Sequence, residues 1–225
     1  MGETSFFCFR GHYNIPHPLS PPLFWCIIEI VGKARQICQE KEHIIMDHYD
    51  ITVAGVKRSL PVVPISDTLS IASFVIFGDT DVVEPCAREL ASKLPPLDYL
   101  ITAEAKSIPL IYEMAKVMKM PRYLIARKSV KGYMKNPIVT EVHSITTQKQ
   151  QILCLDEDDI KLIQGARIGI IDDVISTGSS LAAVEHLVEI AGGTVVARAA
   201  ILAEGDAAKR EDIIYLGTIP LFLKE

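Results

Sequence analysis

The chain has 225 residues, 49% of them hydrophobic, and a formal net charge of −5. That length and apolar content suit one large domain, or one domain with an appendage, and exclude a linker or a disordered chain. The acidic balance argues against a general nucleic-acid binder, although a local basic patch can still hold a small anion.

In chain order, Met1–Ile45 differs in texture from the rest. Three phenylalanines (Phe6, Phe7, Phe9) precede a proline-rich run, and LFWCIIEIVG follows at Leu23–Gly32. That apolar run is too short to span a bilayer, Glu29 interrupts it, and neither a basic leader nor an A-x-A site frames it. No membrane role is expected. A helical stripe over Cys26–Ile45 is weakened by Gly32. We expect residues 1–45 to be an N-terminal extension, disordered or helical, and Met46 to open the integral domain.

From Met46 onward, Tyr49–Val53 and Ser59–Val63 alternate as strands do, and Ile71–Phe77 is a further apolar stretch closed by Gly78. Residues of about 46–80 are expected to form a small sub-structure before the main sheet. The core should then span about 81–203 and a C-terminal segment 204–225. Asp81–Leu94 reads as a helix with Val82, Val83, Cys86, Leu90 and Leu94 inward, ended by Pro95-Pro96; Pro85 fits only its first turn. Tyr99–Thr102 is a short strand that leads through Ala103–Ser107 into a helix over Ile108–Met118. Arg122–Ala126 is the next strand. Lys119–Lys135 then carries six basic residues and no acid, a local excess that stands out in an acidic protein. Pro137–Ile145 and Gln151–Leu155 are expected to pair as a hairpin. Asp156–Asp159 reads as a solvated turn at the acidic start of a short helix over Ile160–Ile163.

The segment Arg167–Ala191 organises everything else. Arg167–Ile171 reads as a strand, Asp172–Ser180 as a polar loop, and Leu181–Ala191 as a helix stopped by Gly192-Gly193. A loop of small hydroxyl residues and Gly at a helix start presents backbone N–H groups and the positive end of the helix dipole, which suits a phosphate. The adjacent carboxylates Asp172 and Asp173 can bind a sugar diol, a metal ion or both. Thr194–Ala203 is nearly all apolar, as a strand buried on both faces should be. The alternation of strands and helices over Leu97–Ala203 gives a doubly wound α/β domain with a mainly parallel sheet. Five cysteines without a CxxC pair argue against a disulfide framework and fit a reducing, cytoplasmic setting.

At these residues a family resemblance enters. IIDDVISTGSS resembles the phosphoribosyl-diphosphate (PRPP) signature of type I phosphoribosyltransferases: apolar strand, acid pair, two mostly apolar residues, then a small-Thr-Gly-x-Ser/Thr loop. The likeness is specific over about Asp98–Ala203 and loose over Met46–Phe77. It implies a small N-terminal hood over a base site, a homodimer, and transfer of phosphoribosyl from PRPP to a purine base, with Mg²⁺ held mainly by PRPP. By the same resemblance, Ser176, Thr177, Gly178, Ser179 and Ser180 cradle the 5′-phosphate, and Asp172 and Asp173 hold the ribose hydroxyls. TAEAKS resembles the EARG-type loop of adenine phosphoribosyltransferases, so Glu104, Ala105, Lys106 and Ser107 are assigned to the pyrophosphate side, with Lys106 where Arg is usual. The basic stretch resembles the family's flexible loop: Arg127, Lys128 and Lys131 arrive on closure, and Lys128 joins the acid pair as a catalytic candidate.

The base is less defined. Adenine enzymes carry Tyr-x-x-Glu-Tyr-Gly after the flexible loop, whereas here the segment reads His143-Ser144-Ile145-Thr146-Thr147-Gln148, without the Glu. That is more similar to the Ser-x-Thr-x-Gln run of xanthine phosphoribosyltransferases. Adenine is the first expectation, from AEAKS, and xanthine or another purine the second. A PRPP-sensing regulator without turnover is a further alternative, but Met1–Ile45 is short and poor in basic residues for a DNA-binding module.

Overall fold

A computed structural model of the chain describes residues 47–142 and 151–223. The expected helix within Cys26–Ile45 and the segment His143–Gln148 lie outside the described residues.

Three strands open the described chain: β1 (Asp47–Val53), β2 (Val56–Pro64) and β3 (Leu69–Ala72). They form an antiparallel sheet in the order β1-β2-β3-β11, where β11 is Leu221–Leu223. The last strand is therefore added from the far end of the sequence, by pairing Leu221 with Ile71 and Leu223 with Leu69.

The main sheet has five strands in the order β10-β9-β8-β4-β5, and every neighbouring pair is parallel. Its members are β4 (Tyr99–Ala103), β5 (Leu124–Ala126), β8 (Arg167–Ile175), β9 (Thr194–Glu204) and β10 (Ile214–Ile219). Parallel neighbours need long crossovers, and helices supply them. One face packs against α1 (Thr80–Lys93) and α2 (Ile108–Val117), through Val82, Leu90, Leu110 and Met114. The other packs against α3 (Glu157–Ile163) and α4 (Ser179–Ile190), through Ile163, Leu181, Val184 and Leu187. Within β8 the alternation is visible in sequence: Ile168 and Ile170 join the second cluster, Ile171 the first. Covered on both faces, the strands are apolar runs rather than alternating ones. Cys86 and Cys154 are fully buried filler, as expected of an isolated apolar-context cysteine.

A separate hairpin joins β6 (Ile138–Val142) to β7 (Gln151–Leu155) in antiparallel register. The bridge Arg127–Cys154 ties β7 beside the end of β5.

Two expectations need correction. Pro85 sits in the second turn of α1, not the first, and donates no hydrogen bond to the carbonyl of Asp81. The helix tolerates this because its buried stripe, Val82, Val83, Cys86, Ala87 and Leu90, carries the packing. The acid pair is not in a loop: β8 continues to Ile175, because β9 offers partners as far as Ala203. Asp172 and Asp173 interrupt the apolar pattern, but the ladder runs past them.

Candidate active site

The strand order decides the site. β8, β4 and β5 are adjacent and parallel, so their carboxyl ends lie side by side, which is where open α/β sheets bind ligands. The residues after β4, the end of β8 and the residues after β5 come from segments about 20 to 70 positions apart in sequence, and the sheet sets them on one edge.

Between them lies a cavity of about 150 Å³. It is lined by Ala103 to Ser107, Lys128, Gln151, Leu153, Asp172, Asp173, Val174 and Ser180. A second hollow of about 100 Å³ adjoins it, formed by Asp172 and the run Val174–Leu181. Asp172, Val174 and Ser180 line both, so the two hollows share a wall.

Asp172 sits at that wall, and Asp173 beside it lines the first cavity only. Asp173 is 1% exposed, while Asp172 opens partly into the cavities. Ser107 Oγ donates to Asp172 Oδ1 at 2.7 Å and lies 3.1 Å from Asp173 Oδ1. A hydroxyl has one proton to give. Ser107 therefore serves one of the two carboxylates at a time. Burial, and then the neighbouring Asp173 charge, push the Asp172 carboxyl up to about 7. The backbone N–H of Asp173 also donates to Asp172 Oδ1 at 2.9 Å. Lys106 Nζ stands 2.9 Å from Asp173 Oδ2. That contact is an ion pair without hydrogen-bond alignment, so this buried oxygen accepts no hydrogen bond.

The second hollow is a phosphate-type cradle. Gly178 takes φ +78° and caps α4, a conformation that residues with a Cβ rarely adopt. No side chain caps the helix through that position, and its first turn holds no acid. The N-terminal field is left un-neutralised by the protein. Thr177 Oγ1 and Ser179 Oγ are 3.2 Å apart over the turn.

On the opposite side, Glu104 organises the cations. Its Oε2 accepts the Lys128 N–H at 2.8 Å, and its Oε1 accepts Arg127 Nε at 3.3 Å. The Lys128 N–H, with help from Arg127 and Lys131, holds the Glu104 carboxyl below its ordinary range. Arg127 Nη1 donates onward to Tyr133 Oη at 3.0 Å.

A family model described as "Phosphoribosyl transferase domain" matches residues 86–219, more than half of the chain. This chain belongs to the phosphoribosyltransferase family. It is similar to a xanthine phosphoribosyltransferase of Chloroflexus aurantiacus, 32% identical over 127 residues, which cover 55% of this chain and 58% of the relative. It is also similar to a hypoxanthine/guanine phosphoribosyltransferase of Methanococcus voltae, 30% identical over 141 residues, covering 62% of this chain and 71% of the relative. The chain spans 58% of the length of the Chloroflexus relative and 55% of that of a hypoxanthine/guanine phosphoribosyltransferase of Methanocella arvoryzae. Among solved structures, the adenine phosphoribosyltransferase of Thermoanaerobacter pseudethanolicus superposes with a TM-score of 0.53 at 19% identity, covering 80% of this chain and 98% of that one. At that identity the likeness speaks for the fold alone.

The anticipated residues fall into three groups. Asp172, Asp173, Lys128, Glu104, Ala105, Lys106, Ser107 and Ser180 meet at one cavity. Ser176 to Ser180 line the adjoining hollow. Arg127 and Lys131 line neither: Arg127 is turned to Glu104 and Tyr133, and Lys131 Nζ donates to Ser129 Oγ at 2.5 Å. Gln151 and Leu153 of β7 reach the first cavity. Sequence reasoning left them out, since an alternating hairpin strand carries no sign of which end meets a site. Among the described residues no group of three or more His, Cys, Asp or Glu side chains is placed to hold a metal. The donors present, two carboxylates beside a phosphate cradle, suit a Mg²⁺ ion that takes most of its oxygens from a phosphate ligand and from water. No helix among the described residues is long and apolar enough to cross a membrane.

Proposed function

We propose that this protein transfers a phosphoribosyl group from PRPP to a purine base and releases pyrophosphate. The observation that carries the reading is the shared wall: Asp172, with Asp173 beside it, stands between a helix-N-terminal cradle and a cation-lined cavity. One ligand with a phosphate, a diol and a second phosphate group in that order fits this sequence of sites. The Ser176–Ser180 turn would take the 5′-phosphate. Asp172 and Asp173 would accept the ribose hydroxyls, displacing Ser107 and Lys106 from them. Positive charge that grows on the ribose ring is then met by the carboxylates, and negative charge on the leaving group by Lys106 and Lys128. Mg²⁺, held mainly by the substrate, would supply Lewis-acid stabilisation of that group. Arg127 and Lys131 join when the basic loop moves over the cavity and excludes water.

For the base, the AEAKS loop supports adenine. The names of the curated relatives, xanthine and hypoxanthine/guanine phosphoribosyltransferases, and the missing Glu at His143–Gln148 support a 6-oxopurine. We favour the 6-oxopurine, and assembly as a homodimer belongs to the same reading. Purified full-length protein is incubated with PRPP, Mg²⁺ and adenine, xanthine, hypoxanthine or guanine, with pyrophosphate release as the readout. Release with an oxopurine is expected. Release with adenine alone would reverse the order of bases, and tight PRPP binding without release on any base would favour the sensing regulator.

A further inference from the structure

The C-terminal segment places a cation where neither the motif nor the cavity lining calls for one. Arg210 follows the short 3-10 turn Gly205–Lys209, and its N–H donates to Ala207 O at 3.1 Å. Its guanidinium lies against the phosphate turn: a Cβ at Gly178 would stand 2.9 Å from Arg210 Nη1. The other side of the guanidinium is fixed. Nε and Nη2 donate to Asp212 Oδ1 and Oδ2 at 2.8 and 2.6 Å, a two-point grip. Asp212 is in turn flanked by Arg198 Nε at 3.8 Å, and Arg198 pairs with Glu185 on α4. Arg198, on β9, and Glu185, on α4, thus tie the Arg210–Asp212 pair to the sheet and to the helix that Gly178 caps. Nη1 is the part of the fork left to face the turn.

Resting on the phosphoribosyl-transfer reading, we propose that Arg210 is a positioning residue for the 5′-phosphate. It acts through the turn rather than from within the cavity. It occupies the space beside Gly178, so the turn keeps the left-handed glycine that points its N–H groups inward. Its Nη1 edge, the part not taken up by Asp212, also presents positive potential beside the turn, which strengthens the cradle for a dianion. Two effects follow from one side chain: a shape constraint on residue 178 and an electrostatic contribution to anion affinity.

The test separates the two ends of the substrate. Ribose 5-phosphate carries the 5′-phosphate without pyrophosphate, and Mg-pyrophosphate carries only the leaving group. Calorimetry on the full chain is expected to show Arg210→Met weakening ribose 5-phosphate by about tenfold, through the loss of potential and of shape at the turn, with Mg-pyrophosphate changed less than about twofold. In turnover the same variant is expected to raise KM for PRPP with kcat nearly unchanged. Arg210→Lys keeps the charge but loses the two-point grip on Asp212, and is expected to lose about threefold in ribose 5-phosphate affinity; it carries the test if Arg210→Met does not fold. Unchanged ribose 5-phosphate binding in the folded variant overturns the proposal. So does an equal loss of both ligands with a lowered melting temperature, which would mean a purely structural arginine. Wild-type protein that binds neither ligand and turns over no base overturns the phosphoribosyl-transfer reading and this inference together. Wild-type binding of both ligands with an indifferent Arg210→Met overturns this inference alone.

Discussion

The two ends of the site are built differently. The phosphate turn is made by consecutive residues, Ser176 to Ser180, at the point where β8 gives way to α4. The cation-lined end, which the proposed reaction assigns to the leaving group, is assembled from three distant pieces: Glu104–Ser107 after β4, Lys128 after β5, and Gln151 with Leu153 on β7. The first needs only a strand, a left-handed glycine and a helix start. The second needs a clamp, and carboxylates supply it. Glu104 holds the Lys128 end of the basic loop, while Asp156 Oδ1 accepts the Lys135 N–H at 2.8 Å and caps α3 through the Glu157 N–H at 2.7 Å. Both ends of the loop are fastened to acids, and among the described residues Lys131 between them is held only by residues of the loop itself, its Nζ by Ser129 Oγ. On the proposed reading, the anion is met on one side, the rigid one, by the backbone of the turn, and on the other, the mobile one, by side chains of a loop expected to move on closure.

The acid pair between the two ends should be the most sensitive point. Asp172→Asn with Asp173→Asn is expected to lower kcat/KM by ~1000-fold, since both diol acceptors lose their charge while their shape is kept. Circular dichroism should show an intact fold; near-normal turnover would remove the ribose role. On the rigid side, Gly178→Ala places a methyl 2.9 Å from Arg210 Nη1 at a φ of +78°. We expect KM for PRPP to rise about 5- to 30-fold, following a left-handed penalty of roughly 1–2 kcal/mol. A variant with unaltered KM would show that the turn needs no glycine. On the mobile side, Glu104→Gln keeps the acceptor but removes the charge that holds Arg127. Steady-state kinetics should show about a fivefold fall in kcat/KM, with faster amide exchange over Lys128–Lys135. Equal exchange in both proteins would break the contrast drawn above.

The smallest effect concerns stability. The Asp172 carboxyl is raised to about 7 in the folded chain, above its unfolded value, chiefly by burial. The folded state therefore binds more protons than the unfolded state between about pH 4 and about pH 7, so stability falls as pH rises through that window and levels off above it. Asp172→Asn removes this dependence. Because Asp172 opens partly into the cavity, only a modest gain is expected, roughly 2–4 °C in melting temperature at pH 7.5 and little at pH 4.5. A variant less stable than wild type at pH 7.5 would mean that the paired carboxyl is a net support to the fold.

Sequence periodicity identified β4, α2, β9, the β6–β7 pairing and most of α1 and α4, because each buries a stripe with a local repeat. It also singled out the acid pair and the phosphate turn. It ended β8 at Ile171, since two aspartates read as loop; only pairing with β9 carries the strand to Ile175. It was silent on Gln151, on Leu221–Leu223 as a fourth strand of the small sheet, and on Arg210.

Local order along the chain determined the parallel α/β class and the phosphate turn, whose functional groups are neighbours in sequence. The tertiary structure alone decided that Ser107 meets both aspartates, that Glu104 binds the start of the basic loop, and that Arg210 backs Gly178. Those contacts join residues 23 to 66 positions apart in the first two cases and 32 in the third. Strand order brings them together, and no local repeat encodes strand order.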